Sequence, residues 1–342
     1  MTRYIIIGAG AVGASLAAQF ELSGVDYALV GRGAQIRHIL EHGLTYRRPS
    51  GTRQLRLKAS DTASPPPLRR DDILLLTVKA QDAGGAVSDW AWRPLDGTDG
   101  ETASSLPIVT FQNGLATESI ALRRFANVYG ASILTPARFT ETGTVVVGGH
   151  PQVAVVTVGR YPRGTDDIAA QVVADLARSE YIAETTSDIR RWKAAKLLHN
   201  VRNVLELFDG ANEEQALVSE ALVEEARKAL TAAGYSLASP SERTISIAHW
   251  VTAENSGIEP GQQSTWQSFR RGASSEVDYL NGEIVLLGRL SGIATPYNEA
   301  AQQLAGRAAG QPAFERLLPL ERLQAHAKTI SDATGVTAPH AA

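Results

Sequence analysis

A glycine-rich turn near the N-terminus contains the first residues whose types and spacing could do chemistry. Gly8-Ala9-Gly10-Ala11-Val12-Gly13 follows the apolar run Tyr4-Ile5-Ile6-Ile7 and opens a helical pattern. In such a turn the first glycine permits the tight bend, the second lets the backbone approach phosphates, and the third lets helix and strand pack closely. Another α/β protein could carry a similar turn. Because strand, glycines and helix fall in register, the pattern favours a dinucleotide-binding site.

The residue that follows the second predicted strand indicates which dinucleotide would bind. Tyr27-Ala28-Leu29-Val30 has the composition of a buried strand, and Gly31-Arg32 comes directly after it. Proteins that prefer NAD have an acidic residue here, which binds the ribose 2′-hydroxyl. An arginine pairs instead with the 2′-phosphate of NADP. The sequence therefore predicts NADP over NAD, and an ordinary surface arginine is the alternative.

A lysine and two asparagines in the second half of the chain could also do chemistry. Lys196, Asn200 and Asn203 are spaced i, i+4 and i+7 within 191–208, a stretch with helical periodicity, so they would form one polar stripe. Asparagine is a mediocre helix former, which suggests a task for the stripe, but a solvated helix face explains it equally well. Glu276 stands near the start of a later helical pattern, where the helix dipole alone would favour a carboxylate.

Strands and helices alternate over the first half of the chain, and helices dominate the second half. The predicted strands are Tyr4–Ile7, Tyr27–Val30, Asp72–Val78, Pro107–Phe111, Val128–Leu134, Thr144–Gly148, Val153–Val158 and Tyr181–Ala183, with a hairpin of Leu44–Tyr46 and Leu55–Leu57 and a surface loop from Trp90 to Ser105. From Ser187 onward nearly every stretch has helical periodicity. We predict an α/β Rossmann-type N-terminal domain, residues 1–186, an all-α C-terminal domain, residues 187–334, and a flexible tail, residues 335–342.

Composition argues against several other kinds of protein. The 342 residues include no cysteine, which excludes disulfides and thiolate chemistry, and the histidines are too scattered to predict a metal site. The net charge of −3 argues against a nucleic-acid-binding surface. No apolar run is long enough to span a membrane, and a core strand begins at once, so we expect a cytoplasmic protein without a signal peptide.

Taken together, these residues resemble the ketopantoate reductase (2-dehydropantoate 2-reductase) family, from Gly8 to about Asn298. The motifs that carry the resemblance are Gly8-Ala9-Gly10-Ala11-Val12-Gly13, Val78-Lys79-Ala80-Gln81-Asp82, Gln112-Asn113-Gly114, Trp192 with Lys196 and Asn200, Ser264, and Glu276-Val277-Asp278-Tyr279-Leu280-Asn281-Gly282. The resemblance implies an oxidoreductase of pantothenate biosynthesis that uses NADP(H) to reduce a 2-keto acid to a 2-hydroxy acid. It also implies a homodimer formed through the helical domain.

The resemblance implies roles for individual residues. Lys196 matches the family's proton donor, and Glu276 matches a carboxylate where cofactor and substrate meet. A lysine ammonium can stabilise the charge that hydride transfer places on a ketone oxygen, and can then supply the proton. The implied cofactor-binding residues are Gly8, Ala9, Gly10, Ala11, Val12, Gly13, Arg32, Lys79, Asn113, Ala137 and Glu276. The implied substrate-binding residues are Asn113, Lys196, Asn200, Asn203 and Ser264.

The chain departs from the family pattern at positions that would contact the substrate. A second substrate-binding asparagine would fall at Val204, and Asn203 stands one position earlier, about 100° around a helix. Ser268 stands where members of the family often have aspartate. The reductase chemistry is kept, and the sequence leaves open whether ketopantoate itself is the substrate.

Two other functions are compatible with parts of the sequence. A β-hydroxyacid or opine dehydrogenase also combines a Rossmann domain with a helical domain, but no glycine-rich run precedes Lys196 and no His–Asp pair is evident. A dinucleotide-binding sensor without catalysis would need neither Lys196 nor Glu276. The sequence therefore favours the 2-keto acid reductase.

Overall fold

The computed structural model describes residues 2–139, 141–254, 256–258, 266–267, 269, 275–309 and 317–334. The chain folds as two compact units, the first made of Met1–Gln112, Ala116–Trp192 and Ser239–Glu259, and the second of Asn113–Leu115, Lys193–Ala238 and Pro260–Ala342. The sequence placed one boundary near residue 187. In the structure Ser239–Glu259 returns to the first unit, and Asn113–Leu115 belongs to the second. The predicted tail, 335–342, lies outside the described residues.

The helices and strands of the structure include the predicted strands of the main sheet and several short elements that the sequence did not predict. Up to the last strand of the main sheet they are β1 (Arg3–Ile7), α1 (Ala11–Ser23), β2 (Tyr27–Gly31), α2 (Gly33–His42), β3 (Leu44–Arg48), β4 (Gly51–Leu55), β5 (Ala59–Asp61), β6 (Asp72–Leu76), α3 (Ala80–Ala91), β7 (Pro107–Thr110), α4 (Ala116–Leu122), β8 (Asn127–Leu134), β9 (Ala137–Arg138), β10 (Thr144–Val147), β11 (Gly149–His150), β12 (Val155–Arg160), α5 (Asp167–Arg178) and β13 (Ile182–Thr185). The later elements are α6 (Ile189–Asn200), β14 (Phe208–Asp209), α7 (Asn212–Ala232), β15 (Val251–Thr252), α8 (Asn281–Ser291), α9 (Pro296–Ala308), β16 (Leu318–Pro319) and α10 (Leu320–Thr334). Short 3₁₀ helices cover Ala103–Ser105, Val201–Leu207, Pro240–Glu242 and Val277–Tyr279.

The main sheet of the first unit has eight strands in the order β13-β12-β8-β7-β6-β1-β2-β5. Neighbouring strands run parallel except for the antiparallel pair β8 and β12. On β1, Ile6 packs into one apolar cluster, while Ile5 and Ile7 pack into another. Because successive side chains of a strand point to opposite faces, a strand covered on both sides must be apolar throughout. The predicted parallel α/β sheet is confirmed.

The predicted hairpin forms, but its second strand begins earlier than expected. β3 pairs antiparallel with β4, and Leu44 lies opposite Leu55. β4 thus ends where the sequence placed its start. Most residues of β4 are exposed, so no alternation of apolar side chains marks the strand. Pairing with β3 defines it instead.

The predicted surface loop from Trp90 to Ser105 is wrong at both ends. Trp90 lies in the last turn of α3 and is buried, with the guanidinium of Arg93 4.7 Å from its ring centre. Leu95 and Ala103 are also buried, so this connection packs against the core. It leads from α3 into the start of β7. It therefore lies at the amino ends of the parallel strands, away from the edge where ligands bind in such sheets.

The second unit is mostly helical, as predicted. Its apolar cluster takes residues from α6, α7, α8, α9 and α10, including Leu197, Leu222, Ile284, Ala301 and Leu323. A short parallel pair, β14 with β16, is the strand content among its described residues. The predicted continuous helix over 191–208 is wrong in its second half: α6 ends at Asn200, a 3₁₀ helix follows over Val201–Leu207, and β14 begins at Phe208.

A buried carboxylate fastens Ser239–Glu259 to the first unit. Glu184 on β13 accepts hydrogen bonds from the Arg243 guanidinium, from the backbone and hydroxyl of Thr244, and from the Thr157 hydroxyl. The Arg243 guanidinium also lies 4.6 Å from the ring centre of Trp192. A charge this deeply buried needs several donors, and a segment far along the chain supplies most of them. Hydrophobic periodicity in the sequence does not indicate that Ser239–Glu259 belongs to the first unit.

We expect Arg243→Met to destabilise the first unit, because it leaves the buried Glu184 carboxylate without its cationic partner. Breaking a buried ion pair costs about 3–5 kcal/mol, whereas an exposed pair contributes about 0–1 kcal/mol. Urea denaturation of Arg243→Met would measure the loss. The matched control is Lys58→Met at the exposed pair with Asp26, which should change little. Equal effects of the two substitutions would contradict the role of the buried pair.

Candidate active site

The glycine turn has the geometry that the sequence predicts. Gly8 has φ +120°, and a Cβ there would lie 2.7 Å from the backbone nitrogen of Val78. A Cβ on Gly13 would collide with the carbonyl oxygen of Gly8, whereas nothing lies within 4 Å of a Cβ placed on Gly10. The first and third glycines therefore allow close packing. The second faces open space, where a side chain would occupy room that a phosphate could use.

The start of α1 fits an anion. Gly10 is the N-cap of α1, no side chain caps the helix, and its first turn contains no acidic residue. The N-terminal N–H groups of a helix carry partial positive charge and need acceptors. A dinucleotide pyrophosphate meets both needs, so the residues of this turn fit the cofactor that the sequence predicts.

Two residues to which the sequence analysis assigned no role hold this turn in place. The Thr77 hydroxyl lies 3.0 Å from the carbonyl of Ile7 and 2.9 Å from that of Gly8. The Gln112 amide donates to the carbonyls of Leu76 (2.9 Å) and Val78 (2.7 Å). These bonds join the carboxyl ends of β1, β6 and β7. The available signal was a polar residue within two positions of the carboxyl end of each of these apolar strands, β6 and β7.

Arg32 follows β2 as predicted, and its side chain is 75% exposed. It occupies the N-cap position of α2 without a side-chain capping bond, and its guanidinium forms an ion pair with Asp82, at 2.8 Å, in the first turn of α3. Lys79 is the N-cap of α3, and Ala137 begins β9. All four residues belong to the first unit, together with the glycine turn.

Lys196 lies on α6 in the second unit and is partly buried. Burial lowers its pKa to about 7, and the neighbouring charge of Lys193 acts in the same direction. The carboxylate of Glu276 opposes both effects, so it lies within electrostatic reach of the lysine. Glu276 is itself 7% exposed and immediately precedes the 3₁₀ helix Val277–Tyr279. This arrangement can hold an ammonium that gives up its proton near neutral pH.

The two asparagines of the predicted stripe are buried, with 5% of Asn200 and 6% of Asn203 exposed. A solvated helix face therefore does not explain them. Because residues three apart eclipse one another in a 3₁₀ helix, Asn203 is nearly aligned with Asn200. Val204 is 1% exposed and packs in the apolar cluster, so it presents no polar side chain at the position where the resemblance implies a second asparagine.

The segment of Asn113 joins the second unit through Gly114. Gly114 has φ +80°, and a Cβ there would collide with the backbone oxygen of Tyr279. Glycine thus lets this segment approach the backbone that follows Glu276. The second unit therefore holds Asn113, Lys196, Asn200, Asn203 and Glu276. The predicted substrate residue Ser264, like Ser268, lies outside the described residues.

Among the described residues, no group of three His, Asp or Glu side chains could hold a metal ion. No helix in the same parts of the chain is long and apolar enough to cross a membrane.

The fold and the glycine turn define a Rossmann-like α/β protein with a helical second unit. The family model described as Ketopantoate reductase PanE/ApbA matches residues 4–161, and its C-terminal counterpart matches residues 188–308. The chain belongs to this family of oxidoreductases.

Individual relatives resemble the chain over most of its length. A 2-dehydropantoate 2-reductase of Archaeoglobus fulgidus is 29% identical over 310 residues, which are 88% of this chain and 96% of that one. The structure of a PanE/ApbA family ketopantoate reductase from Ralstonia eutropha JMP134 has a TM-score of 0.70 at 23% identity and covers 90% of this chain and 98% of its own. D-mandelate dehydrogenase with NADH and anilino(oxo)acetate has a TM-score of 0.73 at 19% identity, with coverage of 90% and 98%. Both structures share the fold of this chain.

We expect Gly10→Ala and Gly13→Ala to separate cofactor binding from folding. Gly10→Ala should keep the melting temperature, because its Cβ meets nothing, yet weaken dinucleotide binding at least about tenfold, or roughly 1.4 kcal/mol. Gly13→Ala should lower both the melting temperature and the affinity for the dinucleotide. Thermal melting and fluorescence titration with a reduced nicotinamide dinucleotide measure the two effects. Wild-type affinity in Gly10→Ala would show that phosphates do not approach this glycine.

Proposed function

We propose that this protein uses NADPH to reduce a 2-keto acid to a 2-hydroxy acid, with ketopantoate or a close relative as substrate. The observation that carries the proposal is the partly buried Lys196, with its pKa lowered to about 7, in the same unit as the buried Glu276. Neither a helix dipole nor a solvated face calls for such a lysine. A reductase needs it, because the product oxygen must gain a proton.

Each predicted site residue of the second unit has a proposed role in this reaction. The nicotinamide, when bound, supplies a hydride to the carbonyl carbon. As the C=O bond becomes C–O⁻, the Lys196 ammonium stabilises the oxygen and transfers a proton from Nζ, which leaves a neutral amine. Before the proton is transferred, the carboxylate of Glu276 stabilises the protonated form of Lys196. Asn200 and Asn203 are the proposed donors to the substrate's polar groups, and Asn113 the proposed contact to the nicotinamide ribose.

Two features of the first unit support the cofactor proposal, the glycine turn and Arg32. The glycine turn supports binding of the pyrophosphate common to NAD and NADP. Arg32 supports NADP, because its exposed guanidinium follows β2 where an acidic residue would repel the 2′-phosphate. In the free protein this guanidinium pairs with Asp82. Binding of the 2′-phosphate would therefore compete with an existing ion pair.

The identity of the keto acid depends on how its side chain is recognised. Val204 cannot donate a hydrogen bond, and its burial keeps it in the core. Asn203 is the proposed substitute for the missing asparagine. Ketopantoate carries a hydroxyl that Asn203 could bind. A branched or aromatic 2-keto acid without that hydroxyl would not need a hydrogen bond from Asn203.

The experiment that tests the proposed function is NADPH oxidation by the purified protein with a panel of keto acids. The panel contains ketopantoate, branched 2-keto acids without a hydroxyl, and an aromatic 2-keto acid. Rapid turnover of ketopantoate supports the proposal and a place in pantothenate synthesis. Turnover only of the other acids keeps the reaction and changes the substrate. Tight NADPH binding without turnover of any of them would support the sensor and contradict the proposal.

We expect kcat to fall as the pH rises through about 7, because Lys196 must carry the proton it donates and loses it above its pKa. Lys196→Met should lower kcat by about 10²–10⁴-fold and abolish this pH dependence, with NADPH affinity nearly unchanged. Steady-state kinetics from pH 6 to 9 would measure both. The control is Lys228→Met, an exposed lysine of the same unit. An unchanged pH profile in Lys196→Met would assign the titration to another group.

We expect Arg32→Ala to weaken NADPH binding by roughly ten- to a hundredfold, the value of a charged hydrogen bond, and NADH binding far less. Asp82→Asn is the matched control. It releases Arg32 from its ion pair and should strengthen NADPH binding. Titration of each variant with NADPH and with NADH would measure these changes in affinity. Equal losses of NADPH and NADH in Arg32→Ala would remove the argument for NADP.

A further inference from the structure

A buried asparagine lies at the point where the helix of Lys196 changes its geometry. α6 ends at Asn200, and the 3₁₀ helix begins at Val201. The side-chain amide of Asn281 donates to the backbone oxygen of Val201, at 2.9 Å, across 80 positions of sequence. Asn281 is 1% exposed and is the first residue of α8. A single hydrogen bond therefore joins the side chain at the start of α8 to the backbone directly after α6.

A second asparagine orients this amide. Asn281 also donates to the side-chain oxygen of Asn298, at 3.1 Å. The amide nitrogen of Asn298 donates in turn to the Leu222 carbonyl (3.0 Å) and to a carboxylate oxygen of Glu225 (2.9 Å), both on α7. Asn298 is fully buried. With its amide nitrogen engaged by α7, its oxygen is left to accept from Asn281.

The carboxylate of Glu225 completes the chain of bonds. It accepts from the backbone nitrogens of Tyr297 and Asn298, each at 2.9 Å, in the first turn of α9. Pro296 begins α9 and has no N–H, so these are the first N–H groups of that helix. Burial raises the pKa of Glu225, and the donated bonds oppose the increase because they favour the ionised form. The network thus links α7, α9, α8 and the end of α6.

Such a network has one geometry, because every donor in it meets a buried acceptor. A buried polar group that loses its partner costs more than the bond itself contributed. The network therefore resists sliding or rotation of α6 relative to α8. Its bonds join Asn281 to Val201, next to Asn200.

The geometry at Val201 decides the relative direction of the two asparagines. From Asn200 to Asn203 an α-helix would turn by about 300°, whereas a 3₁₀ helix turns by about 360°. The observed 3₁₀ segment therefore brings Asn203 about 60° closer to alignment with Asn200 than a continued α-helix would.

We propose that Asn281, oriented by Asn298 and Glu225, is a positioning residue that fixes the end of α6 and so aligns Asn200 and Asn203 for the keto acid. The inference rests on the proposed function, because it concerns how that substrate is held. Asn281 acts through the Val201 carbonyl and needs no contact with substrate or cofactor. Its loss should therefore raise KM for the keto acid and leave the binding of the dinucleotide alone.

The test compares Asn281→Ala with Leu323→Ala, a core substitution in α10 of the same unit whose apolar side chain takes no part in the hydrogen bonds of the network. Both should lower the melting temperature. Only Asn281→Ala should raise KM for the keto acid, by about tenfold or more, equivalent to roughly 1.4 kcal/mol. Only Asn281→Ala should speed hydrogen exchange at residues 201–207, and NADPH affinity should stay within about twofold of wild type in both.

Glu225→Gln is the milder variant in case Asn281→Ala does not fold. It keeps the shape of the side chain, but places an NH₂ group against donors of α9. It should give a smaller rise in KM of the same kind, and a KM equal to wild type would overturn the proposal. So would an Asn281→Ala protein that loses stability while KM and exchange at 201–207 match Leu323→Ala. If wild type turns over no keto acid, the proposed function fails first, and the positioning role fails with it.

Discussion

In our proposal, the charge on Lys196 is the constraint on which the second unit depends. Burial and the neighbouring Lys193 lower the pKa of this lysine to about 7, and Glu276 opposes them. A lysine in water would stay protonated far above neutrality and would be a weak acid at pH 7. One that is half-protonated near pH 7 can give its proton readily. The fold must therefore keep water away from the ammonium without leaving it unpaired.

The helical unit also keeps several other polar groups in its apolar core. Asn200, Asn203 and Glu276 are all buried beside the residues that form the unit's apolar cluster. Buried amides and carboxylates are tolerated where hydrogen bonds satisfy them, as the bonds among Asn281, Asn298 and Glu225 illustrate. Directed bonds of this kind give a helical unit a single arrangement, which apolar packing alone specifies less sharply.

In our proposal, the first unit has a different task, because a phosphate must approach the backbone itself. Gly8 and Gly13 pack where a side chain would collide, while Gly10 leaves open space. Thr77 and Gln112 then fasten the strand ends around this turn. Rigid backbone on one side and open space on the other is what binding of a pyrophosphate requires. The choice between NAD and NADP, by contrast, depends in our proposal on the exposed Arg32.

The sequence alone determined the parallel α/β sheet, the glycine turn, the helical second unit and the candidate residues Lys196, Asn200, Asn203 and Glu276. These follow from local periodicity, from glycine spacing and from the resemblance to a known family. Only the tertiary structure decided that the asparagines are buried, that α6 ends at Asn200 and that Ser239–Glu259 returns to the first unit. Each of these depends on partners distant in sequence, such as Asn281 for Val201 and Glu184 for Arg243. A hydrophobic pattern records which face of an element is buried, but it does not record which distant donor meets which acceptor.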